Sequence, residues 1–505
     1  MTIKLKRARL AALVVTALTT GSAQAAGEAK NIIFFLGDGM GPVTVTAARI
    51  YKGEKQLAAK PGSLITSERA ELAMQSLSQA ARIKTYSLDG QTTDSAPSMA
   101  AYMTGVKMRN EVISMSAETT AVDASGAQYV TGEDSRCPAS NGTPAETLLE
   151  LAKANGRSVG AVSTTRVGHA TPATTYAHVC NRNAYNTIAE QSTPGHARYN
   201  TKLLDGIDVL MGGGQRNYLP RSVNPSSRRT DDVNLVSMFQ AKGYAYVDSG
   251  TSLRSLNTAG TTKLLGLFSQ SEMAYELDRV KPALGYDQPS LGEMTQKALE
   301  VLSKNSKGFF LMVEGGRIDH ALHGTNAKRA LEDTLAFDQA IQTALDFMNQ
   351  KDPGLANTLV VVTADHDHAM AFNGYPKIGN PILGTVKGYG DGSTALAADG
   401  KPYTTLVFGN GGRPNSSASS QVNAEDGNKR WIAPARGASR EDLTGVNTQD
   451  DNYLQEVGIV LGTPGAETHG GGDVMLFAGG AGAKIFKGTI DNTKVFGKVR
   501  EAAGL

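Results

Sequence analysis

Residues 31–41 read Asn31-Ile32-Ile33-Phe34-Phe35-Leu36-Gly37-Asp38-Gly39-Met40-Gly41. The run Ile32–Leu36 is apolar throughout, without the alternation of a half-wet strand, so it predicts a strand buried on both faces. The same pattern predicts strands at Ser158–Ser163, Phe309–Val313, Leu359–Thr363 and Asp473–Ala478, the last of these read as the final strand. Helical patterns lie between them. Thr143-Pro144-Ala145-Glu146 has the form of a capping box with proline at the first helical position, predicting a helix that Gly156 closes. A second is predicted from about Gly292 to Asn305, with Met294, Ala298 and Leu302 on one face, and a third from about Asn326 to Met348. Alternating helices and continuous apolar strands define an α/β class: a largely parallel central sheet with helices on both faces. Ligand sites in such sheets lie beyond the carboxyl ends of the strands. The residues just after each strand are therefore the ones to inspect.

Asp38 follows the first strand between glycines. The spacing is wrong for a dinucleotide fingerprint, and a carboxylate would repel a pyrophosphate, so Asp38 is better placed to ligate a cation. Glu314 follows the strand Phe309–Val313, and Asp319 and His323 come next, four residues apart and so on one face of a helical turn. Asp365-His366-Asp367-His368 follows Leu359–Thr363, and His469 precedes Gly470-Gly471-Gly472 and the strand at Asp473. Five of the 8 histidines (His320, His323, His366, His368, His469) fall in these three segments beside carboxylates. Any one of them could be a hydrogen-bonded structural residue, but the clustering favours ligation. Mixed oxygen and nitrogen donors suit zinc, and all-oxygen positions suit magnesium.

Thr93-Asp94-Ser95-Ala96-Pro97 offers a reacting group. A serine opening a helix presents its hydroxyl and nearby N–H groups to an anion, although the same local pattern equally describes an ordinary N-cap serine. No Gly-x-Ser-x-Gly elbow surrounds it; either a histidine base or a metal must take the hydroxyl proton, and metal coordination does so directly.

Composition is that of a globular protein, with 40% hydrophobic residues over 505 positions, which excludes disordered and fibrous classes. Lys4, Lys6, Arg7 and Arg9 precede the apolar run Leu10–Leu18 and then Ala23-Gln24-Ala25, the form of a secretory signal at residues 1–25. The run is short for a membrane anchor, the other reading. Removing those four basic residues leaves 46 Lys and Arg against 48 Asp and Glu, so charge gives no reason to expect a nucleic-acid partner. Cys137 and Cys180 are either one disulfide, closing a loop that would contribute roughly 4 kcal/mol, or two separate buried thiols. Residues 372–465, rich in Gly, Ser, Asn and Asp, break the α/β pattern and are read as an insertion with strand structure around Tyr403–Phe408.

Together these motifs resemble the alkaline phosphatase family over essentially the whole mature chain: Asp38 in its glycine loop, Thr93-Asp94-Ser95-Ala96, His169-Ala170-Thr171-Pro172, Glu314-Gly315-Gly316-Arg317-Ile318-Asp319-His320, Thr363-Ala364-Asp365-His366 and Glu467-Thr468-His469-Gly470. The resemblance implies hydrolysis of phosphate monoesters through a phosphoserine on Ser95. It implies one zinc held by Asp319, His323 and His469, a second held by Asp38, Asp365, His366 and Ser95, and a magnesium held by Asp38, Thr171 and Glu314. Arg182 matches the family's phosphate-binding arginine. His169 and His320, with Asp94, are expected just behind the ligands; both histidines look like those of the animal enzymes, and His169 opens the third site to zinc. The animal enzymes' calcium site finds no match at Gly266-Leu267-Phe268-Ser269. The resemblance also implies a catalytic domain of residues 26–371 and 466–505, a crown-like insertion at 372–465, a homodimer, no membrane partner, and a periplasmic or secreted enzyme. A phosphodiesterase or sulfatase of the wider superfamily, and an exported phosphate- or metal-binding protein, are the rival readings.

Overall fold

The structure is a computed structural model and describes residues 29–411, 440–461 and 466–505. The signal expected at residues 1–25 lies outside the described residues, as do 412–439 and 462–465 of the expected insertion.

Ten strands form the main sheet: β1 (Asn31–Gly37), β2 (Gln79–Lys84), β3 (Ser158–Arg166), β4 (Val209–Gly213), β5 (Ala245–Val247), β6 (Leu264–Leu267), β7 (Phe309–Gly315), β8 (Thr358–Thr363), β9 (Val474–Gly480) and β10 (Gly488–Asp491). Their spatial order is β10-β2-β9-β8-β1-β7-β3-β4-β6-β5. Every neighbouring pair is parallel except those of β9, which runs antiparallel to both β8 and β2. Central β1 is buried from Ile32 to Gly37, as its apolar run predicts. Successive side chains of a strand point to opposite faces. Phe34 accordingly meets Tyr102 of the helix Ser95–Thr104, with ring centroids 5.8 Å apart, while Phe35 meets Phe337 of the helix Ala327–Lys351 at 5.9 Å. Both faces are thus covered by helices.

The predicted strands are present, each within a few residues of its expected bounds, but Asp473–Ala478 is not the last, since β10 follows it. The helices expected near Gly292 and Asn326 run over Leu291–Leu302 and Ala327–Lys351, opened by Ser290 and Asn326 whose side chains accept from Glu293 and Arg329 N–H groups. The helix expected at Thr143 instead begins at Leu148. Residues 143–145 are drawn into a neighbouring loop, where Ser116 N donates to Thr143 O and Met115 bridges Pro144, and a second capping box, Thr147 with Glu150, starts the helix four residues later. Cys137 and Cys180 form a disulfide, which settles the pair against separate thiols. Within the segment read as an insertion, Leu406–Gly411 pairs with Met370–Phe372 and Val457–Val460 in a small separate sheet, slightly later than the strand expected around Tyr403. Among the described residues no helix is long and apolar enough to cross a membrane.

Candidate metal centre

The carboxyl ends of β1, β3, β7 and β8 share one edge of the sheet. Antiparallel β9 begins at that edge, which is why His469 precedes its strand while Asp38, Glu314 and Asp365 end or follow theirs. Gly39 has a φ of +64°, and a Cβ there would lie 2.5 Å from the His368 ring, so only glycine lets the turn after β1 close over the site. Its N–H donates to Asp365 Oδ1 at 3.0 Å, tying the β1 and β8 ends together.

Around Asp319, on the helix Arg317–His323, imidazoles converge. Asp319 Oδ1 lies 2.8 Å from His368 Nε2, 3.3 Å from His323 Nε2 and 3.4 Å from His469 Nε2. The helical spacing of Asp319 and His323 therefore works as the sequence predicts. Backbone acceptors orient two of the rings: His323 Nδ1 sits 2.5 Å from Glu467 O and His469 Nδ1 2.8 Å from Thr93 O, leaving both Nε2 atoms facing Asp319. His368 instead has its Nδ1 on the Glu467 carboxylate at 2.5 Å. Burial alone would raise the Asp319 pKa, but these imidazoles, His323 first, hold it well below the usual carboxylate value.

Beside this pocket lies a carboxylate-rich one. His366 Nε2 is 3.2 Å from Asp38 Oδ1 and 3.6 Å from Asp365 Oδ2, and its ring stacks on that of His469 with centroids 3.5 Å apart. Burial pushes Asp38 and Asp365 well above the ordinary carboxylate pKa, with repulsion from neighbouring carboxylates adding to it, and pushes Glu314 up to about 8. Asp38 Oδ2, Asp365 Oδ2, Glu314 Oε1 and Thr171 Oγ1 are buried and make no hydrogen bond. Buried oxygens without partners are costly, and four of them facing one region fit a bound cation. Donor atoms of Asp38, Asp365 and His366 lie within 4.8 Å of one another, as do those of Asp38, Glu314 and His169. His169, expected behind the ligands, thus stands close enough to join them.

Ser95 is the first residue of the buried helix Ser95–Thr104; the N-cap position belongs to Asp94, so the reading of Ser95 as an ordinary cap does not hold. Its Oγ lies 3.1 Å from His366 Nε2 and 3.4 Å from Asp38 Oδ1. Arg182 pairs with Asp94 and donates to His169 Nε2 at 3.0 Å. Burial and the adjacent Arg182 keep His169 neutral, its pKa well below the usual value. His320 accepts from Arg317 Nη1 at 2.8 Å and has its pKa lowered to about 4, by burial first and then by Arg317.

Three residues escaped the sequence reading. In the sequence His368 is one histidine of a cluster and Glu467 only the start of its motif, yet in the structure the two brace Asp319. Glu272 lies with His169 and His320 and is held by Arg166, with Nη2 to Oε1 at 3.0 Å. It follows β6, a strand of only four residues that the sequence pattern did not reveal.

Buried carboxylates and imidazoles gathered at the sheet edge around a helix-opening serine define the class of a metal-assisted hydrolase. The alkaline phosphatase family model matches residues 29–505, and the chain belongs to that family and is a phosphatase. It is similar to the tissue-nonspecific alkaline phosphatase of Felis catus, 37% identical over 479 residues covering 91% of this chain and 80% of the relative. The Gadus morhua alkaline phosphatase is 36% identical, over 91% of this chain and 89% of the relative. Among solved structures, Thermus thermophilus alkaline phosphatase superposes with a TM-score of 0.63 at 27% identity, over 98% of this chain and 96% of that one.

Proposed function

We propose that the chain hydrolyses phosphate monoesters through a covalent phosphoserine on Ser95. The observation that carries this reading is the position of Ser95 Oγ, within 3.4 Å of donor atoms of both Asp38 and His366 in a pocket whose carboxylate oxygens lack partners. Asp319, His323 and His469 would hold one zinc, Asp38, Asp365 and His366 a second beside Ser95, and Asp38, Thr171 and Glu314 a magnesium, with the His169 ring making zinc an alternative in the third place. Bound there, these cations supply positive charge that lowers the serine pKa and offsets charge on the phosphoryl group.

The protein's own groups do the rest. Arg182, a planar fork, binds two unesterified phosphate oxygens and so favours monoesters over diesters. The Asp94 pair holds that fork beside Ser95. Ser95 Oγ loses its proton and attacks phosphorus, forming the serine O–P bond as the alcohol leaves in line. Water then attacks the phosphoserine, releasing phosphate and restoring the hydroxyl. Ser95→Ala is expected to abolish phosphoserine, trapped by acid quench with labelled substrate, and to cut turnover by orders of magnitude while metal content stays unchanged. Turnover at the parent level would remove the nucleophile reading.

Residues 1–25 are proposed to direct export, to a periplasm or the medium, and the active enzyme is proposed to be a homodimer. The chain is proposed to divide into a catalytic domain, 26–371 with 466–505, and a crown-like insertion, 372–465, whose strands Leu406–Gly411 and Val457–Val460 lie outside the main sheet and pair with each other, the first also pairing back to Met370–Phe372 at the boundary.

A further inference from the structure

Only Asn181 separates Cys180 from Arg182, and Cys180 is bonded to Cys137. Cys137 belongs to the long connection between the helices Ser95–Thr104 and Leu148–Ala154, whose strands are just the pair Val130–Thr131 and Asp134–Ser135. That connection wraps the backbone around Arg182. Ile113 and Val179 exchange N–H to O bonds of 3.0 and 3.1 Å, Arg182 N donates to Glu111 O at 2.8 Å, and Asn181 Nδ2 donates to Ala121 O at 3.2 Å. Glu111 N also donates to Asp94 Oδ2 at 2.9 Å, so the same connection places the carboxylate that pairs with the Arg182 guanidinium. Each of these hydrogen bonds can be exchanged for one to water if the connection lifts, and its net contribution is about 1 kcal/mol. The disulfide cannot exchange in that way. As the chain has 2 cysteines, it is also the single intramolecular disulfide available.

We infer that the Cys137–Cys180 disulfide positions Arg182 for phosphate binding, by clamping the 105–147 connection onto the segment that carries the arginine. The inference rests on the phosphate-binding role proposed for Arg182. A disulfide acting through loop closure alone raises the melting temperature and leaves substrate binding untouched. A positioning disulfide moves the constants that report on phosphate.

The test compares the double variant Cys137→Ser/Cys180→Ser with Arg182→Ala and with the triple variant, measuring KM, kcat and inhibition by inorganic phosphate on metal-loaded, folded protein below its melting temperature. The double variant is expected to raise KM and the phosphate inhibition constant roughly tenfold, with a smaller change in kcat. The triple variant is expected to bind phosphate no more weakly than Arg182→Ala, because both changes remove one interaction. A double variant that melts earlier but inhibits and binds as the parent does would overturn the inference while leaving Arg182 in place. Parent-like phosphate inhibition in Arg182→Ala would instead remove the reading on which it rests. Should the double variant not fold, the same constants are taken on the native holoenzyme after reduction with a phosphine and alkylation of both thiols. Unchanged phosphate inhibition there would equally overturn the inference.

Discussion

Around Asp319, three imidazoles converge on one carboxylate oxygen; around Asp38, Asp365 and Glu314 the carboxylates outnumber the imidazoles, with His366 beside Asp38 and Asp365 and His169 beside Asp38 and Glu314. The first pocket neutralises its acid with protein groups, and Asp319 stays ionised despite burial. In the second, Arg182, His366 and the Ser163 hydroxyl offset too little of the burial and mutual repulsion, so its acids are pushed up in pKa and several of their oxygens are left without a hydrogen-bond partner. One pocket is braced by the protein before any ion arrives, and the other needs protons or cations to be tolerable. The difference predicts that the first depends on its shared oxygen and its orienting partners, and the second on solution conditions.

The largest effect is expected from Asp319→Ala, which takes away the oxygen on which the imidazoles converge. Metal analysis of the purified variant should show the ion of that pocket lost and those of the carboxylate pocket kept, with turnover falling by orders of magnitude; a full metal complement would contradict the assignment. A smaller effect is expected from Glu467→Gln, which leaves Asp319 in place but weakens the support of His368. Chelator competition should report about tenfold weaker binding in the imidazole pocket alone. Equal weakening in both pockets would mean that they are not independent.

The smallest effect is on stability. Glu314 has its folded pKa raised by burial to about 8 from the ordinary 4.5, so in metal-free protein the folded state retains a proton that the unfolded state has released. The contribution of this group is complete below the unfolded value and is lost as pH rises towards the folded one. Metal-stripped protein should therefore melt at progressively lower temperature as pH climbs through that window, and restoring divalent ions should flatten the trend. A melting temperature of the stripped protein that is level or rising across the window would show that Glu314 is not held protonated.

Much of this was legible because burial on two faces writes itself as an unbroken apolar run. β7 and β8 are buried along their whole length and β1 from Ile32 onward, and all three are legible in the sequence. β2 and β10 alternate or face solvent, and β6 is four residues long, so none carried that signature. The residues just beyond the legible strands, Asp38, Glu314, Asp319, His323, Asp365 and His366, were found by the strand-end rule, and the structure brings them together. Glu272 was missed with its strand. The bracing of Asp319 by His368 and Glu467 was missed for another reason: it joins residues 49 and 99 positions apart, and no local pattern records such a contact. The displaced start of the helix at Leu148 shows the reverse case, a plausible local signal at Thr143 overruled by a bridge to Met115.

Antiparallel β9 bears on the order in which the enzyme can assemble. β2, whose chain leads on to Ser95, has only β9 and β10 as sheet neighbours, and both are made about 400 residues later. A chain still being synthesised can pair β1, β7, β8 and β3 into a working sheet, yet it lacks the last imidazole and the strands that β2 must dock against. The segment that bears the proposed nucleophile is thus among the first made, while the sheet neighbours of the strand leading to it are among the last, so its place in the fold depends on contacts of long sequence separation.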